Sequence, residues 1–179
     1  NLTSGQYFTP LIVATHHRHI AMFELGAEPS DALSKIAEGG ATDDMAMALA
    51  DSGLGYDIQF STDGLIGPGE SRMVTIDTNL RGYNRLSLAG MLLPTNDTFV
   101  AVNSMPLPKR SSHGLALAYD AGSEMNDELC ANIPGPHCGG TPFSAGLAEG
   151  FVHISRGISG EGDLPASAYD WRNPVAHIS

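Results

Sequence analysis

The sequence predicts a mainly β protein, an antiparallel β-sandwich with two short helices inserted between its early strands. Three observations lead to this prediction. Short runs rich in β-branched and aromatic residues recur along the chain. Gly, Pro, Asn and Asp separate these runs, as is typical of the turns between sandwich strands. Two windows of helical periodicity lie together between the first runs and the rest.

Size and charge limit the class of protein. The 179 residues, 42% of them apolar, predict one domain spanning residues 1–179 with enough apolar surface for a core. The formal charge of −11 argues against binding to nucleic acid, which needs clustered Lys and Arg. The apolar runs are too short for a membrane span, so the chain is not expected to be transmembrane. No signal peptide is visible, so any export signal is expected to have been removed or never included.

The first strand is expected over residues 6–14, where aromatic and β-branched residues dominate. Pro10 within this run suggests an edge strand or a bulge, because proline cannot donate a ladder hydrogen bond. A short apolar run at residues 20–25 follows and stops at Gly26.

The two helices come next. Ser30 or Asp31 can cap the first, which is expected to end at the glycine pair 39–40. Thr42 is expected to cap the second, and two aspartates in its first turn suit the helix dipole. Gly53 is expected to end it, and apolar residues at helical spacing give each helix one buried face.

The rest of the chain is expected to supply the remaining strands. Within it, residues 72–78 alternate between apolar and polar side chains, which indicates a half-buried strand. The other expected strands are residues 58–60, 85–93, 99–103, 114–119, 150–156 and 175–178.

The two cysteines, Cys130 and Cys138, are expected to form a disulfide. The seven residues between them include a Pro-Gly-Pro run that favours a turn. A disulfide would place the chain in an oxidising compartment, and two unrelated thiols are the alternative. A zinc site with His137 is disfavoured, because the spacing differs from the usual C-x₂₋₄-C.

An acidic loop over residues 120–128 is the first candidate site. It holds four carboxylates and an Asn within nine residues, with no Lys or Arg among them. Ca²⁺ takes six to eight oxygen ligands of these kinds, and the spacing excludes an EF-hand. A solvated acidic loop is the alternative, and Glu128 is expected to face solvent.

A second acidic loop, residues 94–98, follows the strand that ends at Leu93. If the two preceding strands are neighbours in the sandwich, both loops can emerge where one cation would bridge them. Bridging would hold together loops that carry little apolar surface of their own.

A histidine cluster at residues 16–19 is a possible second metal site. Three His in four residues suit Cu²⁺, Ni²⁺ or Zn²⁺, and in a strand His17 and His19 would share one face while His16 points away. Arg18 opposes a cation, and two imidazoles alone make a weak site. An exposed polar loop is the alternative.

The chain resembles the spondin domain family (Spondin_N), particularly its bacterial single-domain members. The most specific matching segments are Asp-Ala-Gly-Ser-Glu at residues 120–124 and Tyr-Asp-Trp-Arg-Asn-Pro-Val-Ala at residues 169–176. Matching segments also include residues 8–16 and 88–100, so the resemblance spans nearly the whole chain in order. It implies an antiparallel β-sandwich similar to a C2 domain variant, with Ca²⁺ held by loops at one end.

The resemblance implies Asp97, Asp120 and Glu124 as the Ca²⁺ ligands. Glu124 stands where the family has Asp, which lengthens that ligand by one methylene. Crowding in the loops adds three further candidates, which are Asn96, Asn126 and Asp127.

The favoured function is therefore an exported, non-catalytic Ca²⁺-binding module for adhesion or for association with a surface or matrix. Animal relatives are matrix and adhesion modules, although no integrin-contact motif maps onto this sequence. Such a module would be secreted, periplasmic or on the cell surface, with an unknown protein or glycan as partner. The alternative is a carrier for a small ligand or a transition metal that uses His16–His19. No nucleophile elbow, zinc protease motif or Walker motif is present, so an enzyme is not expected.

Overall fold

The protein is described here over residues 1–179 by a computed structural model, and the predicted mainly β, antiparallel fold is confirmed. Both predicted helices are inserted between early strands. The strands are Tyr7–Phe8 (β1), Ile12–His16 (β2), Gly55–Phe60 (β3), Arg85–Leu93 (β4), Thr98–Pro106 (β5), Gly114–Asp120 (β6), His153–Ile154 (β7) and Ala176–Ile178 (β8). The helices are Asp31–Gly39 (α1), Asp43–Asp51 (α2) and Ala166–Tyr169 (α3), with a 3₁₀ turn at Cys130–Asn132.

The strands form one open sheet in the order β3-β2-β4-β5-β6-β7. β1 pairs with the end of β4, and β8 pairs with the start of β6. Every pairing is antiparallel, and the open sheet is consistent with the predicted sandwich. No helix has both the length and the apolar character to cross a bilayer.

The sheet carries a hydrophobic core on each face. Leu33 and Ile36 of α1 and Leu49 of α2 pack with Phe99 of β5 on one face. On the other face, Val100 of β5 packs with apolar residues of the C-terminal segments, among them Trp171. This two-sided burial explains why residues 88–93 of β4 and 99–102 of β5 are continuous apolar runs.

The first helix is bounded as its sequence predicts. The Ser30 hydroxyl accepts a hydrogen bond from the Leu33 N–H at 3.2 Å, and Gly40 ends the helix with a φ of 68°. Thr42 precedes α2, but its side chain makes no capping hydrogen bond. α2 therefore relies on its two N-terminal aspartates and on packing.

The predicted strand over residues 72–78 is wrong, because this segment pairs with no other strand. We call residues 72–78 the strap. Val74 and Ile76 are half-buried and face a cavity on the sheet, whereas Met73 is 92% exposed. The alternation thus reports burial of one side, while side-chain hydrogen bonds hold the strap in place of a ladder.

Other strand boundaries differ from those predicted. The expected strand over residues 6–14 is two strands, because Pro10 interrupts the backbone ladder between β1 and β2. The expected strand over residues 150–156 reduces to the two residues of β7. The predicted disulfide between Cys130 and Cys138 is confirmed, so neither sulfur is a free thiolate for zinc.

The expectation that Glu128 faces solvent is wrong, because this residue is buried. Its carboxylate accepts hydrogen bonds from the backbone N–H groups of Ser159 at 2.5 Å and Gly160 at 2.8 Å. Burial alone would raise its pKa, but these hydrogen bonds outweigh burial and hold the Glu128 pKa below its ordinary value. Glu128 therefore anchors the loop after β7.

Glu128→Ala is expected to lower the free energy of unfolding by about 2–4 kcal/mol, because two N–H groups lose a charged acceptor. Glu161→Ala is the matched control, since Glu161 is exposed on the same loop, and it should change stability by less than about 0.5 kcal/mol. Urea denaturation of both variants measures the difference. Equal losses would contradict the anchoring role.

Candidate metal centre

Three neighbouring strands bring the candidate site together at one end of the sheet. Asp97 lies just before β5, Asp120 ends β6 and His153 begins β7. The register pairs Thr98 with Asp120 and Asp120 with His153. The two acidic loops found in the sequence thus emerge side by side.

Asp97 is completely buried and half of its carboxylate has no partner. Its Oδ2 atom accepts hydrogen bonds from the backbone N–H groups of Ser123 at 2.8 Å and Glu124 at 3.0 Å. Its Oδ1 atom is buried without a hydrogen-bond partner. Burial, followed by the charge of Asp120, raises the pKa of Asp97 to about 8. A buried oxygen of this kind can accept a cation as well as a proton.

Asp120 is also buried, with both oxygens in contact with donors. Its Oδ1 atom accepts from the Gly122 N–H at 2.9 Å, and its Oδ2 atom accepts from the Asn126 side chain at 2.8 Å. The Nε2 atom of His153 lies 3.4 Å from Oδ1. Burial raises the pKa of Asp120, although His153 opposes the rise.

Glu149 and His153 are site residues that the sequence reasoning did not assign to this centre. One ligand atom each from Asp120, Glu149 and His153 lies within 4.8 Å of the others. The Asn126 side chain links two of them, since it donates to Asp120 and to the Glu149 Oε1 atom at 3.1 Å. The sequence signal for this pair is that Glu149 and His153 flank the short apolar run Phe151-Val152.

The hydrogen bonding of His153 identifies the nitrogen that can face a metal. Its Nδ1 atom lies 3.1 Å from the carbonyl oxygen of Ile154, and a carbonyl can only accept, so Nδ1 carries the proton. Nε2 is then the nitrogen directed at Asp120. An imidazole fixed in this way suits a metal ligand.

Glu124, predicted from the resemblance, turns away from this cluster. Its Oε1 atom accepts from the Ser144 N–H at 2.8 Å, and its Oε2 atom is buried without a partner. The acids that face it are Glu38, at the end of α1, and Asp127. Burial raises the pKa of both Glu124 and Glu38. The backbone of Glu124 supports Asp97, while its side chain accepts from Ser144 and is influenced by the charges of Glu38 and Asp127.

The additional candidates, Asn96, Asn126 and Asp127, lie beside the centre. Their side chains make hydrogen bonds within the acidic loops. The Asn96 side chain donates to Asp127 at 2.9 Å and accepts from the Glu128 N–H at 3.1 Å. Asp127 also accepts from Asn132. The amide nitrogen of Asn126 serves two carboxylates, so its oxygen is the atom free to approach a cation.

Only His16 of the histidine cluster lies on a strand, because β2 ends at this residue. His16 is buried, with its Nε2 atom 2.8 Å from the Ser87 hydroxyl, so it points away from the others. The turn that follows brings the rings of His17 and His19 to 4.6 Å between centroids. No third ligating side chain joins them to make a cluster of three.

The residues at the end of the sheet offer atom types that bind cations, and ligand atoms of Asp120, Glu149 and His153 lie within 4.8 Å of one another, a group that does not include Asp97. Carboxylate oxygens from Asp97, Asp120 and Glu149 are the ligand type that Ca²⁺ prefers. The imidazole of His153 adds a nitrogen, which suits transition metals better than Ca²⁺. The unpartnered Oδ1 atom of Asp97 is the observation that favours a cation over a hydrogen-bonded polar loop.

Comparison with known proteins identifies one family. The family model described as Spondin_N matches residues 2–123, which is more than half of the chain. The match includes Asp97 and Asp120, and it ends before Glu149 and His153. Comparison with curated proteins gives no significant match.

Proposed function

Because this chain belongs to the Spondin_N family, we propose that it is an exported Ca²⁺-binding module for adhesion or for association with a surface or matrix. Membership of this family suggests an extracellular module of the matrix or adhesion type, and the family is not a known enzyme family. The Cys130–Cys138 disulfide is consistent with secretion, since disulfides persist in oxidising compartments. A secreted, periplasmic or surface location follows from this proposal.

The proposal of a Ca²⁺ site depends on Asp97. A fully buried carboxylate with a free oxygen, next to a second buried carboxylate, is unfavourable unless a proton or a cation neutralises it. Asp97, Asp120 and Glu149 would hold the ion, and the Asn126 carbonyl is available to assist. Water in a divalent-rich environment would complete the six to eight ligands that Ca²⁺ takes.

The ion would act as a structural link. The segment between β6 and β7 contains several exposed apolar side chains, and Leu147 is 90% exposed. It returns to the sheet through only two residues of β7. A cation shared by β5, β6 and Glu149 would hold this segment in place, so that its surface could bind a protein or glycan partner.

A transition-metal carrier is the second candidate, and the proximity of the His17 and His19 rings favours it. The two proposals separate by ligand chemistry. If Zn²⁺ binds at this turn, replacing both His17 and His19 by Ala should lower the affinity of the protein for Zn²⁺. The affinity for Ca²⁺ should not change.

Calcium titration by calorimetry tests the main proposal. Wild-type protein freed of metal should bind Ca²⁺ with a rise in melting temperature, because a ligand that binds only the folded state stabilises it. Asp120→Asn should abolish the rise, and Glu149→Gln should weaken affinity by about tenfold or more. No binding heat and no change in melting temperature at millimolar Ca²⁺ would refute the proposal.

Glu124→Gln is the informative companion variant. In this structure the Glu124 side chain faces Ser144, so its loss should change Ca²⁺ affinity much less than the loss of Glu149. The opposite ranking would restore Glu124 as the ligand that the family resemblance implies. Exposed Glu161→Gln serves as the charge control.

A further inference from the structure

A cavity of about 590 Å³ lies between the strap and the sheet, on the face opposite α1 and α2. Its floor includes Val13 of β2, Leu88 of β4 and Val100 of β5. The register pairs Val13 with Leu88, so adjacent strands supply a continuous apolar floor. The cavity is separate from the residues of the metal centre and from the histidine cluster at residues 16–19.

The cavity lining is mostly hydrophobic. Thirteen of its nineteen lining residues are hydrophobic, and Val74 and Ile76 of the strap close its outer side. Sites for small molecules typically have volumes of about 300–1,000 Å³, apolar walls and a few polar groups that fix orientation. The volume and composition of this cavity match that description.

Arg72 supplies a polar end to the cavity. Its Nη2 atom donates to the Leu65 carbonyl at 3.1 Å and to Glu70 at 3.3 Å. Its Nε atom is buried and has no hydrogen-bond partner. A buried N–H without an acceptor is unfavourable, so this end of the cavity favours a ligand that brings an acceptor.

The middle of the strap has no backbone hydrogen bonds to resist its movement. None of the backbone groups of residues 73–76 makes a hydrogen bond within the protein. The strap is held at its far end, where Asp77 accepts from Thr15 at 2.9 Å and donates to Asp57 at 2.6 Å. Arg72 holds the near end. A segment fixed at both ends and unpaired between them can open at low cost.

We propose that this cavity binds a small amphipathic molecule, with its apolar chain between strap and sheet and its hydrogen-bond-accepting head at Arg72. A medium-chain carboxylic acid is the simplest member of this class. Its chain would cover the floor residues, and its carboxylate would give the Arg72 Nε–H an acceptor. The Arg72 cation disfavours a cationic head, and the Glu70 carboxylate beside it offsets part of this preference.

Titration with decanoate below its micelle concentration tests the proposal. Wild-type protein should bind one decanoate saturably, with or without EDTA, so a failed Ca²⁺ site would not affect the result. Decylamine, with the same chain and a cationic head, should bind at least about tenfold more weakly. Amide shifts should change in the strap, β2, β4 and β5, and not in α1 or α2.

Strap variants provide matched controls. Val74→Asp should weaken decanoate binding by about tenfold or more, because it places a charge against the apolar chain. Thr75→Asp adds the same charge to the exposed side of the strap and should leave affinity within about twofold. Arg72→Met should weaken decanoate binding by about tenfold and reduce the preference over decylamine.

Several results would overturn the proposal. They are absence of saturable decanoate binding to wild-type protein, equal effects of the Val74 and Thr75 variants, and shift changes centred on the helices. If Val74→Asp fails to fold, Val74→Trp replaces it, because the larger apolar side chain fills the cavity and should still reduce binding.

Discussion

Asp97→Ala is expected to lower the free energy of unfolding by about 3–5 kcal/mol in EDTA. The carboxylate accepts from the Ser123 and Glu124 N–H groups, and truncation leaves both without that acceptor. Each unsatisfied buried donor costs about 1–3 kcal/mol, and the space left by the side chain adds to this. Urea denaturation measures the loss.

Asp97→Asn separates the structural role from the cation role. The amide oxygen can still accept from Ser123 and Glu124, while the charge beside Asp120 is removed. Stability in EDTA should therefore match or exceed that of wild type, whereas the rise in melting temperature with Ca²⁺ should disappear. A variant that keeps the full Ca²⁺ response would show that Asp97 is not a ligand.

The same pair of proteins gives a pH test. The pKa of Asp97 is about 8 in the folded state and near its ordinary value of 3.8 when unfolded. Between these values the folded state holds a proton that the unfolded state has released. Stability in EDTA should thus fall as pH rises from about 4 to 8, with a limiting slope of about 1.4 kcal/mol per pH unit. Asp97→Asn should remove this contribution and leave those of Asp120, Glu38 and Glu124, whose pKa values are also raised. A flat wild-type profile would contradict the raised pKa.

Gly122→Ala is expected to cost more than about 3 kcal/mol and to abolish Ca²⁺ binding. Gly122 has a φ of 65°, and a Cβ atom there would lie 2.3 Å from the carbonyl oxygen of Phe151. Both the backbone strain and the overlap are unfavourable, and relief would displace Asp120 or β7. Thermal unfolding with and without Ca²⁺ measures the effect.

Gly150→Ala is the matched control for this substitution. Gly150 has a φ of 80°, and an added Cβ would meet no atom within 4 Å. Its N–H donates to the Gly122 carbonyl at 2.8 Å, so both residues belong to the same contact. Only backbone strain applies, and the expected cost is about 1–2 kcal/mol. Similar costs at both positions would show that the predicted overlap is relieved without loss of stability.

Local signals account for the parts of the fold that the sequence predicts. The Ser30 cap and the glycine pair 39–40 at the end of α1 act within one helical turn, so α1 is bounded from sequence alone. The alternation in residues 72–78 gives the burial of Val74 and Ile76 correctly but not the missing strand partner. Alternation arises wherever an extended segment lies on an apolar surface, paired or not.

The candidate site is predictable only in part, for a related reason. Asp97 and Asp120 are found because Asp97 lies just before a recognisable strand and Asp120 ends another. Glu149 and His153 join them through a two-residue strand, which is too short to give a periodic signal. Glu128 resembles a solvated acid in sequence, because the N–H groups that donate to its carboxylate lie 31 and 32 residues further along the chain.

The two-residue length of β7 has a consequence for how this chain can vary. Residues 121–152 form a long connection between β6 and β7, and its two ends are joined by the Asp120–His153 pair. The entropy of closing such a loop grows only logarithmically, by about 0.6 kcal/mol for each doubling of length. Insertions or deletions near the exposed Leu147 should therefore be tolerated while the closing pair stays in register. A new recognition sequence can therefore be inserted into this connection without redesign of the sheet.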